Sequence, residues 1–223
     1  MIGGKTAYEH RKNIGRELAK ENDTDADIVV PVPDSGNAAA IGYSQYTGIP
    51  FDLGLIRNHY VGRTFIEPAQ KIRSLGVKLK LNANKSSINN KKIILIDDSL
   101  VRGTTSHKIV NMLYDAGAKE VHMAVACPEI KYPDFYGVDM PTKKELLAAN
   151  KSIKEICEYI NAKSLNFLSI DGLYKAMGFE KRNENYPQLT DHYFTGEYPV
   201  KPIDELGDNK VTQLSLLSTA SNN

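Results

Sequence analysis

The sequence predicts an α/β protein with a mostly parallel sheet that is flanked by helices. Two observations indicate this doubly wound fold class. Three short apolar runs, Asp27 to Val32, Lys92 to Ile96 and Glu120 to Ala126, have the composition of strands that are buried on both faces. Longer amphipathic segments separate these runs, as the crossover connections between parallel strands require.

The helices are predicted from apolar residues at helical spacing and from the residues that flank them. In chain order they are Thr6 to Glu21, Asn37 to Tyr46 and Thr104 to Ala116, followed by short helices that open at the capping boxes Thr142 to Glu145 and Ser152 to Glu155. Gly48 and Gly117 follow the second and third helices, where glycine commonly ends a helix. Two further strands are predicted at Phe51 to Ile56 and Leu165 to Ile170.

Composition and charge exclude several classes of protein. The chain has 223 residues, of which 41% are apolar and 25% charged, as is ordinary for a soluble domain. Its formal net charge of +1 argues against nucleic-acid binding by bulk electrostatics. It has no apolar run of membrane length and no secretory segment, so we expect a cytoplasmic protein with no nucleic-acid or membrane partner. Cys127 and Cys157 are too few for a disulfide framework, and we expect both to be buried free thiols.

A basic stretch interrupts the regular pattern. From Arg57 to Lys92 there are nine lysines or arginines and a single acid, Glu67, with weak periodicity. So long a stretch inside a compact domain is usually a lid, a binding loop or a disordered segment. A solvated charged hairpin is the alternative. We predict a flexible loop at about 58–90.

The strongest indication of function is the segment Ile93 to Thr105. It has the pattern of a buried strand, two adjacent acids at the strand's carboxyl end, and a turn of small residues that leads into a helix. Ligands of open α/β sheets bind at that end of the strands. The turn, Ser99 to Thr105, offers backbone N–H groups, hydroxyls and a helix N-terminus to a phosphate group. It is not a Walker A loop, because no lysine follows the glycine.

The two acids, Asp97 and Asp98, are the candidate catalytic residues. Because neighbours in a strand point to opposite faces, they do not chelate one ion symmetrically. They suit two hydroxyls of a ribose, and they suit the stabilisation of positive charge at its anomeric carbon. The alternative is an acid pair that only caps the following helix.

The segment Ile93 to Thr105 resembles the signature with which type I phosphoribosyltransferases bind 5-phosphoribosyl 1-pyrophosphate (PRPP). The segments Pro31 to Gly36, Arg57 to Ile66 and Tyr132 to Pro141 resemble the phosphoribosyltransferase domain of the amidophosphoribosyltransferases, also called glutamine phosphoribosylpyrophosphate amidotransferases. The likeness extends over about 4–199. It implies the type I phosphoribosyltransferase fold with a flexible catalytic loop.

The resemblance also implies a reaction. It is the Mg²⁺-dependent transfer of the phosphoribosyl group of PRPP to ammonia, which full-length enzymes derive from glutamine, to give 5-phosphoribosylamine and pyrophosphate in the first step of de novo purine (IMP) biosynthesis. Mg²⁺ is implied at Ser35, Asp97 and Asp98. The residues implied to bind PRPP are Asp34, Ser35, Gly36, Arg57, Tyr60, Arg63, Lys80, Asp97, Asp98, Ser99, Arg102, Gly103, Thr104 and Thr105.

Two departures from the family affect the expected partners. Family members begin with a glutaminase domain, and we expect that domain to be missing here and to be supplied, if at all, by a separate subunit or domain. Some members hold an iron–sulfur cluster through cysteines, but Asp134 occupies the first such position and the region just before Phe194 has no cysteine, so we expect no cluster. We further expect a homo-oligomer, a phosphoribosyltransferase domain at 1–178, and an extension at 179–223 with a disordered end.

Three alternatives stay open. A phosphoribosyltransferase that salvages bases needs a hood that recognises a base, whereas Leu146 to Gly178 resembles the purine-synthesis enzymes. A PRPP-binding regulator without catalysis needs a DNA-binding module or a basic surface, and the first 25 residues form no helix-turn-helix. The third alternative is a truncated gene product.

Overall fold

The structure is a computed structural model that describes residues 3–58, 81–138 and 142–200. The helices in these ranges are α1 (Ala7–Lys20), α2 (Asn37–Thr47), α3 (Lys85–Ile88), α4 (Thr104–Asp115), α5 (Leu147–Asn150), α6 (Ile153–Ile160), α7 (Ile170–Ala176) and α8 (His192–Thr195), with a 3₁₀ helix at Lys143–Glu145. The strands are β1 (Ile28–Pro31), β2 (Leu55–Arg57), β3 (Leu81–Ala83), β4 (Lys92–Asp97), β5 (Glu120–Val125) and β6 (Ser164–Phe167). None of these helices is long and apolar enough to cross a membrane.

Four of the strands form one parallel sheet in the order β1-β4-β5-β6. The last residue of β1, Pro31, lies opposite Ile96 of β4, and Asp97 of β4 lies opposite Val125 of β5. Since all four strands run the same way, their carboxyl ends lie at one edge of the sheet. The predicted parallel sheet is confirmed.

Helices cover both faces of this sheet. On one face α1 and α2 pack on a cluster that includes Leu18, Tyr43, Val29 and Ile94. On the other face α4 packs on Val30, Leu95 and their neighbours, and α6 packs on a third cluster around Met123 and Val125. Alternate residues of β4 therefore contact opposite layers, as expected of a strand buried on both sides. The type I phosphoribosyltransferase architecture expected from the sequence is observed.

The capping boxes are also observed. Thr6 and Glu9 form one before α1, and the two predicted boxes open the 3₁₀ helix and α6. Each box lets a side-chain oxygen accept from a backbone N–H that has no partner within the helix. Local sequence therefore decides where these elements begin.

The two further predicted strands differ from the observed ones. Of the strand predicted at Phe51 to Ile56, only the last two residues belong to a strand, β2. The Asp52 N–H donates to the Val29 carbonyl of β1, and the chain then leaves β1 and pairs with β3. The strand predicted at Leu165 to Ile170 ends at Phe167, because the Ser169 hydroxyl accepts from the Gly172 N–H and so begins α7.

The last part of the predicted flexible loop is regular structure. Within about 58–90, residues 81–90 contain β3, which pairs antiparallel with β2, and α3. Leu81 and Ile88 supply buried apolar side chains within a mostly polar stretch, which explains why weak periodicity concealed these elements. The rest of that loop, including Tyr60, Arg63 and Lys80, lies outside the described residues.

Residues 179–200, the described part of the predicted extension, pack against the rest of the domain. The Tyr174 hydroxyl donates to Asp191 at 2.7 Å, and Arg182 pairs with the same carboxylate. His192 is fully buried and its Nε2 lies 2.7 Å from Asp134. Polar contacts hold this segment in place, so the absence of an apolar pattern hid its contact with the domain. The predicted disordered end lies outside the described residues.

Candidate active site

Two turns meet at the carboxyl edge of the sheet. The first follows β1 at 32–36 and the second follows β4 at 98–103. The strands are neighbours, and the hydrogen bond from Val32 N–H to the Ile96 carbonyl at 2.8 Å extends their pairing into the first turn. Two segments that are far apart in sequence therefore lie side by side, where the parallel fold predicts ligand binding.

The first turn lies directly against β4 because of a glycine. A Cβ at Gly36 would be 2.4 Å from the carbonyl oxygen of Ile96, so no larger residue fits without moving backbone. Asp34 and Ser35 are thereby held beside the end of β4, and helix α2 begins with Gly36 as its N-cap and no side chain bonded there. Arg57, from the end of β2, pairs with the exposed Asp34 carboxylate.

The two acids at the end of β4 have different surroundings. Asp97 is only 7% exposed, whereas Asp98 is exposed. Burial, and then the negative charge of Asp98, raise the pKa of Asp97 to about 7. One Asp97 oxygen accepts from the Asp98 N–H at 2.8 Å, and the Asp98 carboxylate accepts from the Ser99 hydroxyl at 3.0 Å. Only Asp98 therefore faces solvent directly, while Asp97 lies beneath it.

The second turn ends in a helix N-terminus whose N-cap makes no side-chain hydrogen bond. Gly103 is the N-cap of α4 with φ of 71°, and no side chain caps it, whereas side chains cap α1, α6 and α7. Thr104 and Thr105 are exposed in the first turn. Such an end offers N–H groups and a partial positive charge to an anion. The helices that follow the two turns, α2 and α4, therefore both begin without a side-chain cap.

Arg102 of the second turn points toward another part of the chain. Its guanidinium lies 3.2 Å from a carboxylate oxygen of Glu145, in the 3₁₀ helix. The sequence implied a contact between Arg102 and PRPP and did not single out Glu145 as its partner, although the capping box had marked Glu145. This is the main contact at the site that sequence reasoning missed.

The side chains at the two turns do not complete a metal site by themselves, and a bound substrate would have to supply further oxygen ligands. Among the described residues, no group of three or more His, Cys, Asp or Glu side chains could hold a metal ion. Ser35, Asp97 and Asp98 supply one hydroxyl and two carboxylates, and Mg²⁺ commonly takes one or two carboxylates with water and substrate oxygens completing its shell. The donor chemistry of these residues fits Mg²⁺ held jointly with a phosphorylated ligand.

A cavity of about 560 Å³ lies farther along the same edge, at the ends of β5 and β6. Pro128, Phe167, Ser169 and Phe194 are among the residues that line it, and none of the predicted site residues does. This cavity is therefore separate from the described residues predicted to bind the substrate, including those in the two turns.

Comparison with known proteins places the chain in a family. The profile of the phosphoribosyl transferase domain matches residues 5–160. The amidophosphoribosyltransferase of Rhizobium etli is 56% identical over 220 residues, which are 98% of this chain and 44% of that protein. The amidophosphoribosyltransferase of Methanocaldococcus jannaschii is 50% identical over 200 residues, which are 90% of this chain and 41% of that protein.

A solved structure agrees with the sequence relatives. The glutamine PRPP amidotransferase of Bacillus subtilis, complexed with ADP and GMP, superimposes with a TM-score of 0.80 at 48% identity, covering 90% of this chain and 44% of that one. The chain thus spans less than half the length of the relatives that it matches.

Proposed function

Since the chain belongs to the phosphoribosyl transferase domain family and aligns with one part of the amidophosphoribosyltransferases, we propose that it carries the phosphoribosyl-transfer step of those enzymes. The substrate is PRPP, the nucleophile is ammonia, and the products are 5-phosphoribosylamine and pyrophosphate, as in the first step of de novo purine synthesis. Magnesium is the metal ion.

The observation that carries the proposal is the arrangement of two anion-accepting turns on either side of an acid pair. PRPP has a 5-phosphate and a 1-pyrophosphate with a ribose between them. The turn at 98–103 with the N-terminus of α4 suits a phosphate monoester, and the turn at 33–36 with the N-terminus of α2 suits the pyrophosphate. Asp97 and Asp98 lie at the end of β4, beside the first turn and at the start of the second, and the exposed Asp98 then faces the ribose.

The residues have separate roles in this reaction. The exposed Asp98 carboxylate accepts hydrogen bonds from ribose hydroxyls, and both acids favour the positive charge that grows at the anomeric carbon as its bond to pyrophosphate breaks. Ammonia forms the new C–N bond with its lone pair, and the nitrogen then loses a proton to solvent. Arg57 lies at the edge of the first turn, where it pairs with Asp34. In the reaction Arg57 leaves Asp34 and stabilises the negative charge on the departing pyrophosphate.

A divalent cation fits the same set. Ser35, Asp97 and Asp98 would hold Mg²⁺ together with oxygens of PRPP, and the ion would supply charge neutralisation at pyrophosphate. Tyr60, Arg63 and Lys80 belong to the proposal as further PRPP ligands from the basic loop, on the family resemblance alone.

The source of ammonia is the remaining part of the proposal. Releasing ammonia from glutamine needs an activated nucleophile. Burial raises the pKa of the Cys127 thiol to about 12 and also raises the pKa of Cys157, so neither favours the thiolate form. We therefore assign glutamine hydrolysis to a glutaminase domain or subunit that works with this domain, and we expect the working unit to be a homo-oligomer.

One assay tests the proposal. Pyrophosphate release from PRPP and Mg²⁺ is measured with ammonia, glutamine, or free purine and pyrimidine bases offered separately. We expect turnover with ammonia, and we expect it to fall by about 100-fold or more in Asp98→Asn, as when a group that stabilises transition-state charge is removed. Turnover with a base instead of ammonia would reassign the substrate, and PRPP binding without turnover would indicate a regulator.

A further inference from the structure

The turn that we assign to phosphate rests on a separate segment of the chain, residues 142–161. The Leu147 N–H donates to the Val101 carbonyl at 2.8 Å. A Cβ at Gly103 would lie 2.5 Å from a Leu147 methyl carbon and 3.1 Å from the Tyr159 ring, so that segment packs directly on the glycine. The shape of the turn is therefore set from outside it as well as by its own sequence.

Glu145 connects this segment to the turn. One of its carboxylate oxygens, Oε1, lies 3.2 Å from the Arg102 guanidinium. The other, Oε2, accepts from the backbone N–H and the hydroxyl of Thr142, which closes the capping box. Because both oxygens are used, Glu145 is fixed in orientation at the start of the 3₁₀ helix, and it holds the Arg102 guanidinium against this segment.

His107 makes a second connection, one turn into α4. Its Nδ1 lies 2.8 Å from the Tyr159 carbonyl oxygen, which only accepts, so Nδ1 carries the proton. Its Nε2 then accepts from the Asn111 amide at 3.0 Å, and Asn161 donates to Asn111 at 2.7 Å. The His107 N–H bonds to the Gly103 carbonyl. The first turn of α4 is thus tied to the end of α6.

From these contacts we infer that Arg102 and Glu145 are positioning residues that hold the phosphate turn in its binding conformation, in place of the direct contact between Arg102 and PRPP that the family resemblance implies. This inference rests on the proposed function. Arg102 is exposed, and an exposed ion pair contributes little to global stability. The pair acts on the geometry of the turn and therefore on affinity for PRPP.

Two substitutions separate the roles. Glu145→Gln keeps the capping box, since glutamine serves there as well as glutamate, but it removes the charge that holds Arg102. Arg102→Gln removes the guanidinium. If Arg102 is a positioning residue, the two variants and the double variant share one defect, a weakening of PRPP binding by about two- to fivefold, the range of an exposed ion pair. If Arg102 binds PRPP directly, Arg102→Gln weakens binding by about 10- to 100-fold, as for a lost hydrogen bond to a charged group, while Glu145→Gln has no such effect.

The experiment is calorimetric titration of the full chain with PRPP and Mg²⁺, together with hydrogen–deuterium exchange of residues 98–107 without ligand. We expect equal, non-additive losses of affinity and faster exchange in all three variants, with midpoints of thermal unfolding close to wild type. Additive losses, a loss confined to Arg102→Gln, or unchanged exchange would each overturn the inference. Thr142→Ala is the control: it removes the hydroxyl bond to Glu145 Oε2 and keeps both the backbone bond from residue 142 and the two members of the Arg102 pair. If the wild-type chain fails to bind PRPP, the proposed function fails, and the exchange measurements still decide whether the pair holds the turn.

Discussion

Replacing the buried acid of the site should make the protein more stable and inactive at once. Asp97 is 7% exposed and its pKa is raised from 3.8 to about 7, first by burial and then by Asp98. Asparagine has the same shape, and its oxygen still accepts from the Asp98 N–H. Asp97→Asn therefore removes a buried charge without leaving a cavity, and it keeps the hydrogen bond that Asp97 accepts.

The sign and size of the effect follow from the pKa. Asp97 has a higher pKa in the folded state than in the unfolded state. At a pH below the unfolded-state pKa such a carboxyl does not change the free energy of unfolding, and as pH rises through the folded-state pKa it lowers that free energy. The change from 3.8 to about 7 corresponds to roughly 4 kcal/mol. We expect Asp97→Asn to raise the free energy of unfolding by about 2 to 4 kcal/mol at pH 8 and by less than about 1 kcal/mol at pH 4.

The assay is urea unfolding of both proteins between pH 4 and 8 without Mg²⁺, since a bound cation would favour the ionised acid. Asp98→Asn is the matched control: Asp98 is exposed, so its removal should give a smaller gain, by lowering the pKa of Asp97. Ammonia-dependent turnover should fall by about 100-fold or more in both variants. A loss of stability in Asp97→Asn at pH 8, or a gain that does not vary with pH, would refute the reasoning.

Three other predictions concern the rest of the molecule. Gly36→Ala should move the first turn, because its Cβ would be 2.4 Å from the Ile96 carbonyl oxygen; we expect a loss of about 1–3 kcal/mol in urea unfolding and weaker PRPP binding by calorimetry, and unchanged binding would contradict the placement of that turn. Tyr174→Phe should cost about 1.5–3 kcal/mol, because it removes a hydrogen bond to the buried Asp191 carboxylate; an unchanged unfolding midpoint would mean that other contacts, such as His192 with Asp134, hold the segment. The chain of residues 1–223 should use ammonia and not glutamine, and at fixed total ammonium its rate should rise between about pH 7 and 9 because more of the ammonia is unprotonated. Pyrophosphate release with glutamine alone would contradict the conclusion that neither cysteine is an activated nucleophile.

The parts of the site that sequence could predict are those built from local patterns. The strand, the acids at its end and the glycine turn into α4 follow one another in Ile93 to Thr105, so their spatial relation is set by the strand and helix geometry alone. The different burial of Asp97 and Asp98 is not predicted by this pattern; Asp97 is the last residue of the buried strand, whereas Asp98 lies beyond its end.

The parts that sequence could not predict depend on contacts between distant segments. The fit of Gly36 against Ile96 requires knowledge that β1 and β4 are neighbours, and apolar patterning does not give strand order. Arg102 and Glu145 are 43 positions apart. Residues 179–200 contact the rest of the domain through polar groups such as Asp191 with Tyr174 and His192 with Asp134, which leave no apolar periodicity to read.

The order of strands in the sheet also bears on how the chain folds. The contact between Asp27 and Lys92 at the start of the β1–β4 pair joins residues 65 positions apart, whereas β4 and β5 are joined through α4 alone. Closing the longer loop costs more entropy, so the β4–β5 pair is expected to form earlier than the β1–β4 pair. The two turns of the site lie on opposite sides of that late pairing. A ligand that bridges them binds only chains in which the pairing is complete, and it therefore stabilises the topology of the sheet as well as occupying the site.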